Sequence, residues 1–205
     1  MNWNDLESRL RAKLDPLDRI VACAPSRSDR DLNPDWTDLP SPLRPAAVLA
    51  PIVRRPEGWT VLFTQRTNET PSHPGQISFP GGRVQEEDAD ALATALRETE
   101  EEIGLGRAFI EPIGAWDRYN TGTGFAVTPI VGLVDPGFEL TLDPREVAEV
   151  FEAPLAFLLD PANHERREGV WRGITRAYYA MPYENRFIWG ATAGMIRALY
   201  ERLFV

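Results

Sequence analysis

An acidic run in the middle of the chain has the residue types and the spacing of a metal site. Positions 97–102 read Arg-Glu-Thr-Glu-Glu-Glu, so five of the six residues are charged. On an α-helix, Glu98, Glu101 and Glu102 stand at i, i+3 and i+4 and present their carboxylates on one face. Three like charges on one face repel each other, and a hard divalent cation offsets that repulsion by binding several carboxylate oxygens. The run therefore predicts a metal site on a helix.

The alternative interpretation is a solvated helix face, because glutamate favours helices and acidic runs are usually exposed. Two features favour the metal site. Arg97 precedes Glu101 by four residues, where it can hold a carboxylate in place. The opposite side of the helix carries an apolar stripe that anchors it, made of Leu92, Ala95, Leu96, Thr99 and Ile103. Glu100 points elsewhere, and we expect it to be solvated only.

The composition of the chain predicts a single globular domain over residues 1–205, with 43% hydrophobic and 26% charged residues. A net charge of −9 argues against a nucleic-acid partner. No apolar run reaches membrane-spanning length, and the first residues lack the layout of a signal peptide. The single Cys23 fits a reducing compartment. We therefore expect a cytoplasmic monomer or homodimer with no membrane partner.

The elements that position the acidic run follow from hydrophobic periodicity. A helix is predicted over 88–103, with Asp88 or Asp90 as its N-cap and Gly104 as its stop. Strands at 46–53 and 60–64 precede it, followed by a polar loop at 67–77. The remaining predictions are a helix at 5–14, strands at 110–116 and 125–134, short helical pieces at 146–151 and 154–159, a hairpin of 169–174 and 177–181 turning near Arg172, and a helix at 192–204. This pattern favours an α/β or α+β fold, with residues 1–45 as an N-terminal helix and proline-rich arm packed on it.

The acidic run and the residues before it resemble the Nudix box, whose pattern is a glycine, a spaced acid and then Arg-Glu-x-x-Glu-Glu-x-Gly. The first acid falls on or near Asp88, and the interval from Gly82 to Arg97 is one residue longer than the common pattern. The matching residues are Gly82, Arg97, Glu98, Glu101, Glu102, Gly104 and Leu105. The resemblance implies the Nudix fold, a mixed β-sheet sandwiched between α-helices. It also implies hydrolysis of a diphosphate bond with Mg²⁺ or Mn²⁺.

A second stretch resembles the coenzyme A pyrophosphatase branch of that family. Residues 62–67 and 73–82 are similar to its motif before the box, and the longer interval after Gly82 is usual in that branch. This resemblance implies cleavage of coenzyme A or acyl-CoA to 3′,5′-ADP and (acyl-)4′-phosphopantetheine. One alternative is a Nudix enzyme acting on ADP-ribose, dinucleotides or nucleoside triphosphates. Another is a catalytically silent Nudix-fold binding or regulatory module, which the intact acids of the box argue against.

The box implies a ligand set for the cation. Glu98, Glu101 and Glu102 are the expected metal ligands, together with the Gly82 carbonyl. A cation there would bridge diphosphate oxygens and lower the pKa of the attacking water. Arg97 joins Glu101 and Glu102 in the expected catalytic set, as the residue that orients a glutamate.

The remaining site residues are less sharply defined by the sequence. Glu146 and Glu149 are both candidate bases, because a distal glutamate often completes Nudix sites, and Glu149 is the one assigned to the catalytic set. A surface charge explains either glutamate equally well. Arg66 and His73 are expected to bind substrate, since a cation before the box can meet phosphate. Arg66 equally fits an exposed strand end, and His73 a structural turn.

Overall fold

The apolar run that follows the proline-rich arm forms a central strand of a large mixed sheet in the computed structural model. The structure describes residues 2–19, 27–37, 40–69, 73–171 and 173–205. Cys23 and Arg172 therefore lie outside the described residues. None of the described helices combines the length and the apolar character that a membrane crossing requires.

The described ranges contain helices and strands in a mixed order. The helices are α1 (Trp3–Lys13), α2 (Ala91–Ile103), α3 (Leu155–Leu158) and α4 (Ala191–Phe204). The strands are β1 (Arg27–Ser28), β2 (Arg44–Val53), β3 (Thr60–Arg66), β4 (Ile77–Ser78), β5 (Gly81–Arg83), β6 (Ile110–Ala115), β7 (Tyr119–Asn120), β8 (Phe125–Val134), β9 (Val147–Pro154), β10 (Glu165–Trp171), β11 (Ile174–Tyr183) and β12 (Arg186–Trp189).

The helix that carries the acidic run has a cap at each end, as its sequence predicts. The Asp90 side chain accepts a hydrogen bond of 2.8 Å from the backbone N–H of Ala93, which satisfies one free donor of the first turn. Gly104 ends the helix with a φ of 68°, a left-handed conformation that glycine adopts without strain. Asp90 and Gly104 thus set the length of α2 and fix which residues share its inner face.

The large sheet is built around the parallel pair β2 and β8. The two strands pair from Arg44 opposite Phe125 to Val53 opposite Val134. On its other side β2 pairs antiparallel with β3 and with β5, and β3 pairs antiparallel with β4 and β9. β6 and β7 pair antiparallel with β8. The sheet therefore contains parallel and antiparallel pairs.

Helices cover both faces of this sheet. Alternate residues of β2 point to opposite faces, and both sets are buried. One set packs with Ala95 and Ile103 of α2; it consists of Ala47, Leu49 and Val53. The other set packs with Leu6 of α1 and Leu199 of α4; it consists of Ala46, Ala50 and Ile52. This confirms the mixed sheet between helices, and burial on both faces explains the continuous apolar run of β2.

The proline-rich arm is bound to the large sheet at β7. β1 pairs parallel with β7, and the buried Trp36 ring lies where a Cβ on Gly122 would be. Asn33 exchanges two hydrogen bonds with the backbone of Ala177 in β11. β10, β11 and β12 form a separate antiparallel sheet. Its first two strands confirm the predicted hairpin and extend beyond it.

One predicted element has the wrong type. Residues 146–151 are predicted as a short helical piece, but Val147–Pro154 is the strand β9. Val150 and Phe151 suit a strand, and pairing with β3 supplies the hydrogen bonds that decide between helix and strand. The second short piece is correct, because Leu155–Leu158 is helical. The strand Arg186–Trp189 is not among the predictions.

Candidate active site

The C-terminal half of α2 lies against the glycine pair that begins β5. The backbone N–H of Gly81 donates to Glu102 Oε2 at 3.1 Å. A Cβ on Gly82 would lie 2.4–2.6 Å from the Glu98 carboxylate, so a larger residue would displace that side chain. Gly82 stands opposite Ala47 of β2, which fixes the glycine pair relative to the sheet. The fold thus brings Glu98 and Glu102 to the same pair of glycines.

Glu102 is buried to an unusual degree for a carboxylate, with 5% of its surface exposed. Burial raises the pKa of Glu102 to about 8, although the Gly81 N–H and the positive charge of Arg66 act in the opposite direction. Burial also raises the pKa of Glu98. Carboxylates in such surroundings ionise readily only when a positive charge arrives beside them.

Arg97 connects the acidic helix to the loop that precedes it. Its Nε and Nη2 atoms donate to the two oxygens of Asp88 at 2.9 and 2.8 Å. Its Nη1 atom donates to Glu98 Oε1 at 2.9 Å and to Glu101 Oε2 at 3.0 Å. These hydrogen bonds, first of all those with Asp88, raise the pKa of Arg97 and hold the pKa of Asp88 well below its usual range. Arg97 therefore fixes two glutamates at once.

The third acid of the predicted ligand set lies at the solvent edge. The side chain of Glu101 is 58% exposed and contacts Arg97, whereas Glu102 faces the interior. Glu100 is also exposed, 3.5 Å from Arg107 Nε, as expected for a solvated residue. Within the described part of the chain, no three carboxylate, imidazole or thiolate side chains are gathered closely enough to enclose a cation.

The oxygens at the glycine pair nevertheless fit a hard divalent cation. The Glu102 carboxylate is buried and receives a hydrogen bond from Gly81. The Glu98 carboxylate lies in the space that a side chain at position 82 would fill. A cation bound there would supply positive charge to the buried Glu102 and add to that which Arg97 gives the partly buried Glu98. Oxygen is the ligand that Mg²⁺ prefers.

Arg66 lies between the acidic helix and the turn before β9. Its Nη1 atom is 3.7 Å from Glu102 Oε1, and its Nη2 atom is 3.8 Å from Glu146 Oε2. Its Nε atom is buried and has no hydrogen-bond partner among the described residues. A hydrogen bond of 2.9 Å from Thr67 N to the Glu146 carbonyl holds the two segments together. Arg66 and Glu146 thus lie beside the buried acid of α2.

Two predicted site residues lie apart from these acids. Glu149 stands opposite Gln65 in the sheet, and its carboxylate pairs with Arg186. His73 begins a turn in which its carbonyl accepts from Gln76 N at 3.2 Å, and its φ is 57°. In the described part of the chain, neither side chain contacts Glu98 or Glu102.

Two groups that bind predicted site residues were not predicted from the sequence. The first is the Gly81 N–H that binds Glu102, for which the Gly-Gly pair is a usable signal because such pairs let the backbone approach closely. The second is Arg186, which contacts Glu149 across 37 positions of sequence. No local pattern identifies Arg186, since its contact depends on how β12 packs near β9.

Comparisons with known proteins agree with this geometry. The family model described as the NUDIX domain matches residues 43–172. A protein of Escherichia coli (strain K12), named Uncharacterized Nudix hydrolase NudL, is 43% identical over 156 residues, which is 76% of this chain and 81% of that protein. The protein of the same name from Shigella flexneri is 41% identical over 168 residues, covering 82% and 87%.

Among the solved structures that resemble this chain is a C. elegans Ap4A hydrolase. It has a TM-score of 0.45 and 19% identity, over 54% of this chain and 80% of that one. Nudix hydrolases generally use divalent metal ions. The match to the domain covers more than half of the chain, and both NudL proteins exceed 40% identity over most of their length. The chain therefore belongs to the Nudix family and is a hydrolase that acts on pyrophosphate bonds.

Proposed function

We propose that this Nudix hydrolase cleaves the diphosphate bond of coenzyme A or acyl-CoA, giving 3′,5′-ADP and (acyl-)4′-phosphopantetheine. One observation carries the proposal. The segment that resembles the coenzyme A branch, residues 62–82, contacts the buried acid of the box at two points. Gly81 N–H donates to Glu102 at 3.1 Å, and Arg66 lies 3.7 Å from the same carboxylate. These contacts support the proposal, because they bring the segment that favours this substrate to the acids of the box.

The proposed cation is Mg²⁺ or Mn²⁺, and its ligands are Glu98, Glu101, Glu102 and the Gly82 carbonyl. When bound, the cation supplies positive charge to the diphosphate oxygens and to the attacking water. The support for this set is the burial of Glu102 and the contact of Glu98 with Gly82. Glu101 extends the set toward solvent, from which a substrate enters.

Arg66 is proposed to bind the diphosphate. Its guanidinium contacts Glu102 and Glu146 only at ion-pair distances of 3.7 and 3.8 Å, longer than hydrogen bonds. Its Nη1 and Nη2 donors are therefore available to phosphate oxygens, which guanidinium groups can bind with two parallel hydrogen bonds. His73 is proposed to help position the substrate from the turn that precedes the glycine pair.

The base that accepts a proton from the attacking water is proposed to be a distal glutamate. The geometry favours Glu146, which lies at Arg66 beside Glu102. Glu149, the residue assigned from the sequence, is engaged by Arg186. Arg97 is proposed to position Glu98 and Glu101, since it donates to both while Asp88 anchors it.

The test is a panel of coenzyme A, acetyl-CoA, ADP-ribose, NADH and deoxynucleoside triphosphates, with Mg²⁺ or Mn²⁺ and products resolved by mass. We expect the highest kcat/KM for coenzyme A or acetyl-CoA, with 3′,5′-ADP as a product. Fast cleavage of ADP-ribose without cleavage of coenzyme A would overturn the proposed substrate but would leave the family assignment unchanged. No cleavage of any compound would favour the binding or regulatory module. A cytoplasmic location and a monomeric or homodimeric state remain predictions.

A further inference from the structure

Two arginines share one aromatic ring at the start of the central strand pair. The Arg44 guanidinium lies over the Phe125 ring at 4.0 Å from its centre, and the Arg83 guanidinium lies over the same ring at 5.5 Å. Arg44 also donates from Nη2 to the Thr123 carbonyl at 3.2 Å. Both arginines are exposed, and Phe125 is partly buried. The ring therefore holds two positive charges close together at the surface.

These arginines differ from others in this acidic protein, because no described carboxylate pairs with either of them. Arg54, Arg97 and Arg202 each contact two or more carboxylates. Two guanidinium groups that share a ring without an acid between them repel each other. An anion that contacts both guanidinium groups would offset that repulsion, as a cation would for the crowded glutamates of α2.

The arginine pair adjoins the proposed site of hydrolysis. Arg83 directly follows Gly82, and its carbonyl accepts from Arg97 at 3.2 Å. In the sheet, Arg83 stands opposite Ala46, two residues from Arg44. Two residues of a strand span about 7 Å. Arg83 shares the face of Ala46, toward α1 and α4, whereas Gly82 faces Glu98 of α2. A substrate held at Gly82 therefore has to extend to the other face of the sheet to reach the pair.

A cleft of about 460 Å³ adjoins the arginine pair and has the volume of a small-molecule site. Ser28, Arg30, Pro40 and Asn120 are among the residues that line it. Its Pro40 side chain is close to Arg44, because a Cβ on Gly124 would lie 2.9 Å from Pro40 Cβ and 4.0 Å from Arg44 Nη2. Neither arginine lines this space, but Arg44 lies next to it through Pro40.

We propose that Arg44 and Arg83 form an anion subsite for a phosphate monoester on the ribose of the substrate, the group that distinguishes coenzyme A from its dephospho form. The proposal rests on the proposed function, because it takes the diphosphate to lie at Gly82. In such a substrate one ribose ring separates the monoester from the diphosphate. That arrangement matches the adjacency of Gly82 and Arg83 along the chain. The pair would thus select substrates with this monoester over ADP-ribose, which lacks it.

The test compares kcat/KM for coenzyme A with kcat/KM for dephospho-coenzyme A. We expect wild type to favour coenzyme A, and Arg83→Gln and Arg44→Gln each to reduce that ratio roughly tenfold, mainly through KM, with dephospho-coenzyme A nearly unaffected. Arg83→Gln is the cleaner variant, because the Arg83 side chain makes no hydrogen bond or ion pair among the described residues, whereas Arg44 also donates to Thr123. Thermal unfolding of each variant shows whether the fold is preserved.

Arg107→Gln is the matched control, because it removes one exposed positive charge far from the pair. Three residues after Arg107, Ile110 pairs with Val134 at the opposite end of β8 from Phe125. Nine residue steps along a strand span about 30 Å. The control should leave the ratio unchanged. If Arg83→Gln and Arg44→Gln also leave it unchanged while coenzyme A is cleaved, the subsite is wrong and the proposed function stands.

A binding experiment separates the two proposals when coenzyme A is not cleaved. Calorimetric titration with 3′,5′-ADP and with 5′-AMP compares ligands that differ only in the monoester. Tighter binding of 3′,5′-ADP that is lost in Arg44→Gln and Arg83→Gln would support the subsite even though the substrate proposal fails. Equal binding of the two ligands, without coenzyme A cleavage, would overturn both proposals.

Discussion

The two acid-bearing segments at the site hold their carboxylates in opposite ways. In α2, Glu98 and Glu102 stand one helical turn apart, and both reach the glycine pair of β5. Near the start of β9, Glu146 reaches Arg66, whereas Glu149 pairs with Arg186. A helix gathers residues four apart on one face. Glu146 instead precedes β9, and the pairing of β9 with β3 shifts register between Gln65 and Arg66, so the two glutamates reach different partners.

This difference has an electrostatic consequence. The acids of α2 are crowded and partly buried, which raises the pKa values of Glu98 and Glu102. Near β9, Glu149 pairs with Arg186, and Glu146 lies beside Arg66, which it shares with Glu102. The two segments therefore suit different tasks, a metal site on α2 and a proton acceptor or a structural pair near β9. Substitutions on each segment can break or sharpen that contrast.

The largest effect is expected from Glu102→Gln on α2. The change keeps the shape of the side chain and an oxygen for the Gly81 N–H, but it removes a proposed metal ligand. We expect kcat/KM to fall at least about a thousandfold in steady-state assays, with the circular dichroism spectrum unchanged. Glu100→Gln is the control, because Glu100 is exposed on the same helix. A near-normal rate for Glu102→Gln would remove α2 from the catalytic centre.

The contrast between the two segments also explains which parts of the site can be predicted from the sequence. The α2 residues Arg97, Glu98 and Glu102 lie within six positions, and helix geometry alone brings them together. The N-cap and the glycine stop of α2 are equally local, so Asp90 and Gly104 could be predicted from spacing. The continuous apolar run of β2 likewise identifies a strand with two covered faces.

The rest of the site depends on contacts that no local pattern contains. Residues 146–151 are predicted as a short helical piece, but the pairing of β9 with β3 makes most of them a strand. The partners of Arg66 and Glu149 follow from that pairing. The sharing of Phe125 by Arg44 and Arg83 joins three distant segments. Sequence reasoning therefore identifies the acidic helix and the long strands, but not the contacts between distant segments that complete the site.

The second largest effect tests the two glutamates near β9 against each other. If Glu146 accepts the proton, Glu146→Gln should lower kcat about a hundredfold, a size typical of a lost general base. Glu149→Gln should change kcat only a few-fold, because Arg186 already engages that carboxylate. Each variant has the other as its matched control in the same assay. A larger loss for Glu149→Gln would reverse the assignment and return the base to the residue chosen from sequence.

The third effect is on the free energy of unfolding and tests whether the burial and crowding of the α2 carboxylates destabilise the fold. The pKa of Glu102 is about 8 in the folded, metal-free protein, against an ordinary value of 4.5. A raised pKa means that the stability contributed by the neutral carboxyl is present below pH 4.5 and is lost as the pH rises toward 8. Glu102→Gln avoids that loss. In EDTA at about pH 8, its free energy of unfolding should exceed that of wild type by on the order of 2 kcal/mol.

Urea denaturation at about pH 5 and about pH 8 measures this difference. The advantage of Glu102→Gln should nearly disappear at the lower pH, where the wild-type carboxyl is mostly neutral in the folded protein. Glu100→Gln should show no such pH dependence. An equal gain at both pH values would mean that the variant acts through packing, and the electrostatic contrast between α2 and β9 would lose its support.

The smallest effect is expected from Arg97→Lys. This variant tests whether Arg97 positions the acids of α2 through the geometry of its hydrogen bonds or only through its charge. Lysine keeps the charge but cannot donate simultaneously to both oxygens of Asp88 and to Glu98 and Glu101. We expect kcat/KM to fall about tenfold, the size seen when a residue that orients metal ligands is changed. Arg107→Lys, at an exposed ion pair with Glu100, should have no effect. An unchanged rate for Arg97→Lys would mean that a positive charge at position 97 is sufficient. The spacing of the acids along the helix, and not the hydrogen bonds between Asp88 and Arg97, would then set their positions.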